Sequence, residues 1–146
     1  MLYWLVSALC WCQMCCWGDG MKKTDIIRRL ETLEFDKNEY WVITGSAMVL
    51  YGLREETHDI DLGCTKKMAD ELDQRGFPVS LLDDGTRKIL CGPDVEIFEN
   101  WLYGEVQWLN GIPVISLEGL AEMKRSLGRD KDYRDIALIE HFLSGK

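Results

Sequence analysis

Apolar and polar positions along the chain fall into short runs separated by glycine, proline and acidic turns. Ile26, Ile27, Leu30 and Leu33 recur at helical spacing. They predict a helix capped by Thr24 or Asp25 and running to about residue 35. Residues 40–44 form a continuous apolar run and read as a strand, 46–53 as a helix and 58–64 as a strand. Residues 66–75 read as a helix ended by Gly76 and Pro78. Asp83-Asp84-Gly85 marks a turn between strand-like runs at 79–82 and 87–90. Gly92-Pro93 breaks the chain before a strand at 95–98, and a short strand follows around 112–114. Ser116 can cap a helix to about residue 127, and Asp130 a last helix to about residue 143. This mixture predicts an α/β or α+β fold with a mixed sheet.

Two of these elements carry candidate chemistry. In the strand at 58–64, Asp59 and Asp61 are one residue apart, so they share a face about 7 Å apart along the strand. Ile60 and Leu62 then turn to the opposite side. Two carboxylates on one face repel unless a positive charge sits between them. A divalent cation such as Mg²⁺ suits oxygen ligands of this kind, whereas the plain alternative is a polar strand face in water. The preceding segment, Trp41-Val42-Ile43-Thr44-Gly45-Ser46 followed by Ala47-Met48-Val49-Leu50-Tyr51, reads as strand, tight turn and helix. Glycine permits close backbone approach, and helix N-termini attract anions. One segment therefore offers a phosphate cradle and the next offers metal ligands, the two things a nucleoside triphosphate with Mg²⁺ requires.

Gly45-Ser46, a helix of about ten residues, and then Thr57-x-Asp59-Ile60-Asp61-Leu62 together resemble the signature of the nucleotidyltransferase superfamily, whose best-known member is DNA polymerase β. More narrowly they resemble its small bacterial and phage members, the minimal type and the abortive-infection toxin type. Tyr51-Gly52-Leu53-Arg54 fits the same group, and the resemblance spans roughly residues 40–140. It implies a small twisted mixed sheet flanked by helices, in a single domain over residues 21–146. It also implies transfer of a nucleoside monophosphate from an NTP, ATP among the candidates, to a hydroxyl on a small molecule, an RNA or a protein. In that reading Gly45 and Ser46 hold the β- and γ-phosphates, and Asp59 and Asp61 bind Mg²⁺. A third carboxylate from a neighbouring strand completes a site for two ions. Glu96, flanked by Val95 and Ile97, supplies it, although the family often has Asp there. Asp94 is the substitute, and an exposed acid on an edge strand is the plain alternative for Glu96. Lys124 is expected to approach the phosphates, with Lys131 and Asp132 fixing the last helix to the sheet. The rival reading is a non-catalytic module of the same fold, such as the antitoxin-like partner of a toxin, whose acidic surface suits a basic protein.

Composition narrows the classes. The chain has 146 residues and a formal net charge of −8, which argues against broad, charge-driven nucleic-acid binding. No Walker-type glycine pattern is present. His58 alternates away from the acids, and His141 has no partner in sequence. The widely separated Cys64 and Cys91 fit a reduced, cytoplasmic protein. Residues 1–17 contain no Lys, Arg, Asp or Glu but hold Trp4, Trp11 and Trp17 and four of the six cysteines. A signal peptide, a membrane anchor and a metal site from Cys12, Cys15 and Cys16 are all weighed, yet each lacks part of its pattern. The reading adopted is that Met21 is the true start and that residues 1–20 are a dispensable extension. A membrane role enters only if that segment is retained as an anchor.

Overall fold

A computed structural model describes residues 20–145. The expectations for the apolar N-terminal run fall outside the described residues, apart from Gly20. In chain order the elements are α1 (Lys23–Leu33), β1 (Tyr40–Ile43), α2 (Thr44–Leu50), β2 (Ile60–Cys64), α3 (Lys66–Gln74), β3 (Val79–Leu81), β4 (Arg87–Leu90), β5 (Val95–Glu99), β6 (Val106–Leu109), β7 (Ile112–Ile115), α4 (Leu117–Leu127) and α5 (Asp130–Ser144). The strands form one mixed sheet in the order β3-β4-β5-β2-β1-β7-β6. The expected fold class therefore holds: a mixed α/β architecture with helices packed on a mixed sheet.

The centre of the sheet is where the apolar runs lie. All four residues of β1 are buried, as are all four of β7. Leu62, Ile60, Val95, Ile97 and Ile89 lose essentially all contact with solvent beneath the helices. Each such side chain contributes about 1.5–3 kcal/mol on burial. α1 docks through Ile26 and Leu30, and α4 and α5 pack on each other through residues that include Leu120, Met123 and Ile139.

Register matters most for the chemistry. β1 and β2 are antiparallel, with Ile43 opposite Asp61 and Trp41 opposite Gly63. β2 and β5 are parallel, with Asp61 beside Glu96 and Gly63 beside Phe98. Side chains at paired positions share a face and neighbouring strands lie about 4.8 Å apart, so the sheet itself sets the two acids side by side. Gly63 is glycine for a packing reason, since the Trp41 indole and the Trp101 carbonyl occupy the space a Cβ would need.

Three details differ from the sequence reading. β6 was not anticipated; it pairs with β7 through a hairpin whose Asn110 and Gly111 take φ of 52° and 74°, the left-handed values a tight hairpin turn requires. The caps of α1 and α5 are Lys22 and Arg129, so Thr24 and Asp130 lie inside their helices. Asp25 and Asp132 instead sit three residues past the caps and accept the cap amides at 3.0 and 3.2 Å. Ser116 does cap α4, accepting the Gly119 amide at 3.0 Å.

Candidate active site

Asp59, Asp61 and Glu96 come together at the start of β2 and the start of β5, which run parallel. One ligand oxygen from each lies within 4.8 Å of the others. Asp59 is exposed, while Asp61 and Glu96 are half-buried. The convergence follows from the register: Asp61 and Glu96 are lateral neighbours, and Asp59 precedes Asp61 by one strand repeat. Asp94, the substitute third acid, is committed elsewhere. Its two oxygens take Arg29 Nε at 2.8 Å and Nη2 at 3.1 Å, tying α1 to β5. His58 is exposed beside the acids, and no metal-ligating role is visible for it among the described residues.

Asp61 is the strained member. Burial pushes its carboxyl up to about 6 from an ordinary 3.8; Asp59 and Glu96 add in the same direction, against the Thr44 hydroxyl and the Lys88 ammonium. Oδ2 accepts the Thr44 hydroxyl at 2.5 Å, but Oδ1 is buried with no hydrogen-bond partner. A buried carboxylate oxygen left bare costs about 1–3 kcal/mol or more. A hard cation among three carboxylates removes that cost, so the donor set and the orphaned oxygen both fit Mg²⁺. Thr44 itself has φ of 54°, an outlier for a β-branched residue that costs on the order of 1–3 kcal/mol. The strain sits at the junction of β1 and α2, where it aims the Thr44 hydroxyl at Asp61.

Gly45 and Ser46 occupy the first turn of α2, whose amides lack intrahelical partners. A Cβ at Gly45 would lie 2.6 Å from Arg54 Nη1 and 3.1 Å from Thr57 Oγ1, so the glycine is what lets a guanidinium lie against the turn. Ser46, expected with Gly45 at the phosphates, commits its side chain to the fold. It is fully buried; its hydroxyl donates to the Ile43 carbonyl at 2.9 Å and accepts the Asp61 amide at 3.2 Å. That hydroxyl is a brace between β1 and β2, which leaves only the Ser46 backbone for an anion.

Lys124, expected at the phosphates, is held in a buried ion-pair cluster. It is 2% exposed, and its ammonium lies 2.9 Å from Asp135 and 3.4 Å from Asp132. Removing an ammonium from water costs several kcal/mol, and these two carboxylates offset that cost. Arg54 Nη2 meets both oxygens of Asp135 at 2.8 and 2.7 Å, while Arg129 Nε takes Asp132 at 2.7 Å. Burial works to raise Asp135, but hydrogen bonds from Lys124 and Arg54 hold it below the ordinary 3.8. Arg54, Lys124 and Arg129 against Asp132 and Asp135 leave one positive charge in excess. The cation that reaches the Gly45 turn is thus Arg54, and Lys124 acts two contacts behind it. Asp132 ties the last helix to Lys124 of α4 and to its own cap residue Arg129, not to the sheet, and Lys131 is exposed.

No protein-family model and no curated protein matches the sequence. The architecture is similar to that of a solved structure from Thermotoga maritima, a protein provisionally named a nucleotidyltransferase. The likeness has a TM-score of 0.55 at 20% identity and covers 87% of this chain and 98% of that one. The chain has the nucleotidyltransferase fold. Within the nucleotidyltransferase fold, sequence reasoning missed three residues at the site. Thr44 carried no signal beyond ending an apolar run. Arg54 lay inside the recognised segment but had no partner within reach in sequence. Lys88 was hidden in a strand pattern, and its ammonium lies 3.0 Å from Glu96 Oε2. No helix among the described residues is long and apolar enough to cross a membrane.

Proposed function

We propose that the protein transfers a nucleoside monophosphate from an NTP to an acceptor hydroxyl, with Asp59, Asp61 and Glu96 as its metal-binding acids. The observation that carries this reading is the meeting of three carboxylates within 4.8 Å, one with a buried bare oxygen, beside a glycine turn faced by an arginine. Gly45 leaves room for the Arg54 guanidinium against the turn, and that guanidinium with the first-turn amides of α2 offsets the charge of the triphosphate. A divalent ion bound by the acids would supply Lewis-acid charge to the in-line displacement. In that displacement the acceptor oxygen bonds to the α-phosphorus as the bond to the bridging oxygen breaks, pyrophosphate leaves and the hydroxyl proton passes to solvent. Thr44 holds Asp61 in its orientation throughout, and Ser46 keeps β1 and β2 in register.

The test is incubation of the purified protein with each labelled NTP, Mg²⁺ and a cell lysate. Label is expected on one acceptor class with the parent protein and none with Asp61→Asn. Binding of Mg²⁺ and NTP without transfer from any of the four nucleotides would overturn the catalytic reading and leave a binding module.

A further inference from the structure

Three negative charges meet at the acidic centre, yet one positive charge is already there. Lys88 on β4 stands opposite Phe98 of β5, and Glu96 lies one strand repeat away on the same face. Its ammonium is 3.0 Å from Glu96 Oε2 and 5.9 Å from the centre of the Phe98 ring. Both partners of the pair are about one-third exposed, so the ammonium borders the site's mouth. Phe98 is fixed in turn by stacking on Trp101, with ring centroids 4.4 Å apart. The stem of Lys88 is thereby aimed at Glu96 by the sheet register and by the aromatic surface.

Two divalent ions in such a site sit about 3.5–4 Å apart. A second ion on the Glu96 side would share that carboxylate with the Lys88 ammonium, which already lies 3.0 Å from Oε2, and the two positive charges would repel. The charges agree: three carboxylates and one ammonium leave −2, which a single divalent ion neutralises.

We propose that Lys88 is a resident cation of the acidic centre, holding Glu96 Oε2 so that one divalent ion, among the three acids, enters in place of two. This rests on the metal-binding reading of the three acids.

The test counts Mn²⁺ bound per chain by the metal-free protein, using equilibrium dialysis with electron paramagnetic resonance. The parent is expected to bind one ion. Lys88→Ala and Lys88→Gln are expected to bind two, with the spectrum of a coupled pair, and Lys88→Arg to return to one. Circular dichroism checks that each variant is folded, and the Gln variant carries the test if the Ala variant is not. Two ions on the parent, or one on both neutral variants, would overturn the role of Lys88 and leave the acids as a metal site with an ordinary cross-strand pair. No Mn²⁺ on the parent would overturn the metal reading itself, and the resident cation with it.

Discussion

Replacing Asp61 by Asn isolates the electrostatic load on the site. With no metal bound, its folded-state carboxyl titrates at about 6, against an ordinary 3.8. A gap of about two pH units corresponds to about 3 kcal/mol. The sign follows from proton counts. Between the two values the folded state holds the proton more tightly than the unfolded state, so stability falls as pH rises. The full contribution is present below about pH 4 and has been lost once the pH has risen through about 6. Asparagine removes this dependence. It keeps an oxygen for Thr44 but sets an NH₂ where Oδ1 has no partner, a pH-independent cost of about 1–3 kcal/mol. The difference in unfolding free energy between Asp61→Asn and the parent should therefore shift by about 3 kcal/mol in favour of the variant from pH 4 to pH 7. Urea melts in EDTA at half-unit pH steps measure it, and titrating groups away from the acidic centre cancel in the difference. Mg²⁺ at pH 7 should then stabilise the parent and leave the variant unchanged. A difference that is flat with pH would refute the claim that Asp61 is held as a strained, desolvated acid.

The remaining predictions concern the surroundings of that acid. Arg54→Ala should weaken Mg·NTP binding about 10- to 100-fold by calorimetry, the loss of about 1.5–3 kcal/mol of charge-assisted hydrogen bonding; unchanged affinity would remove Arg54 from the phosphate site. Ser46→Ala should lower stability by about 1–3 kcal/mol, because it strips the Asp61 amide and the Ile43 carbonyl of their brace, while NTP affinity changes little. A large affinity loss at unchanged melting temperature would return the hydroxyl to the phosphates. Lys124→Met should cost about 3–5 kcal/mol in urea unfolding, since it removes the buried cation that Asp132 and Asp135 share and leaves each with one partly exposed arginine; a cost under about 1 kcal/mol would mean that Arg54 and Arg129 suffice.

The elements near the acids were legible because their burial is one-sided or complete. β1, β2 and β5 are apolar runs, and alternation in β2 separates Asp59 and Asp61 from Ile60 and Leu62. β6 was not legible, because Val106-Gln107-Trp108-Leu109 is partly exposed throughout and shows no two-residue pattern. The acids could be read because Asp59 and Asp61 are local to one strand and Glu96 is flanked by core residues. The cations could not. Lys124 looks like a solvated residue of α4 until α5 folds over it with Asp132 and Asp135, and Arg54 meets Asp135 across 81 positions of chain. Partners that distant leave no trace in spacing.

That 81-residue separation also orders events in time. The acids need only β2 and β5 to pair, a loop of some 35 residues between Asp61 and Glu96. Arg54 cannot be held against the Gly45 turn until the final helix has been made and has docked, and closing the longer loop is the slower step. As the chain leaves the ribosome, a pocket of negative charge is therefore completed before the arginine beside it is set. A partly made chain would carry the acids without that offsetting charge, and the last helix acts as the latch between the two conditions.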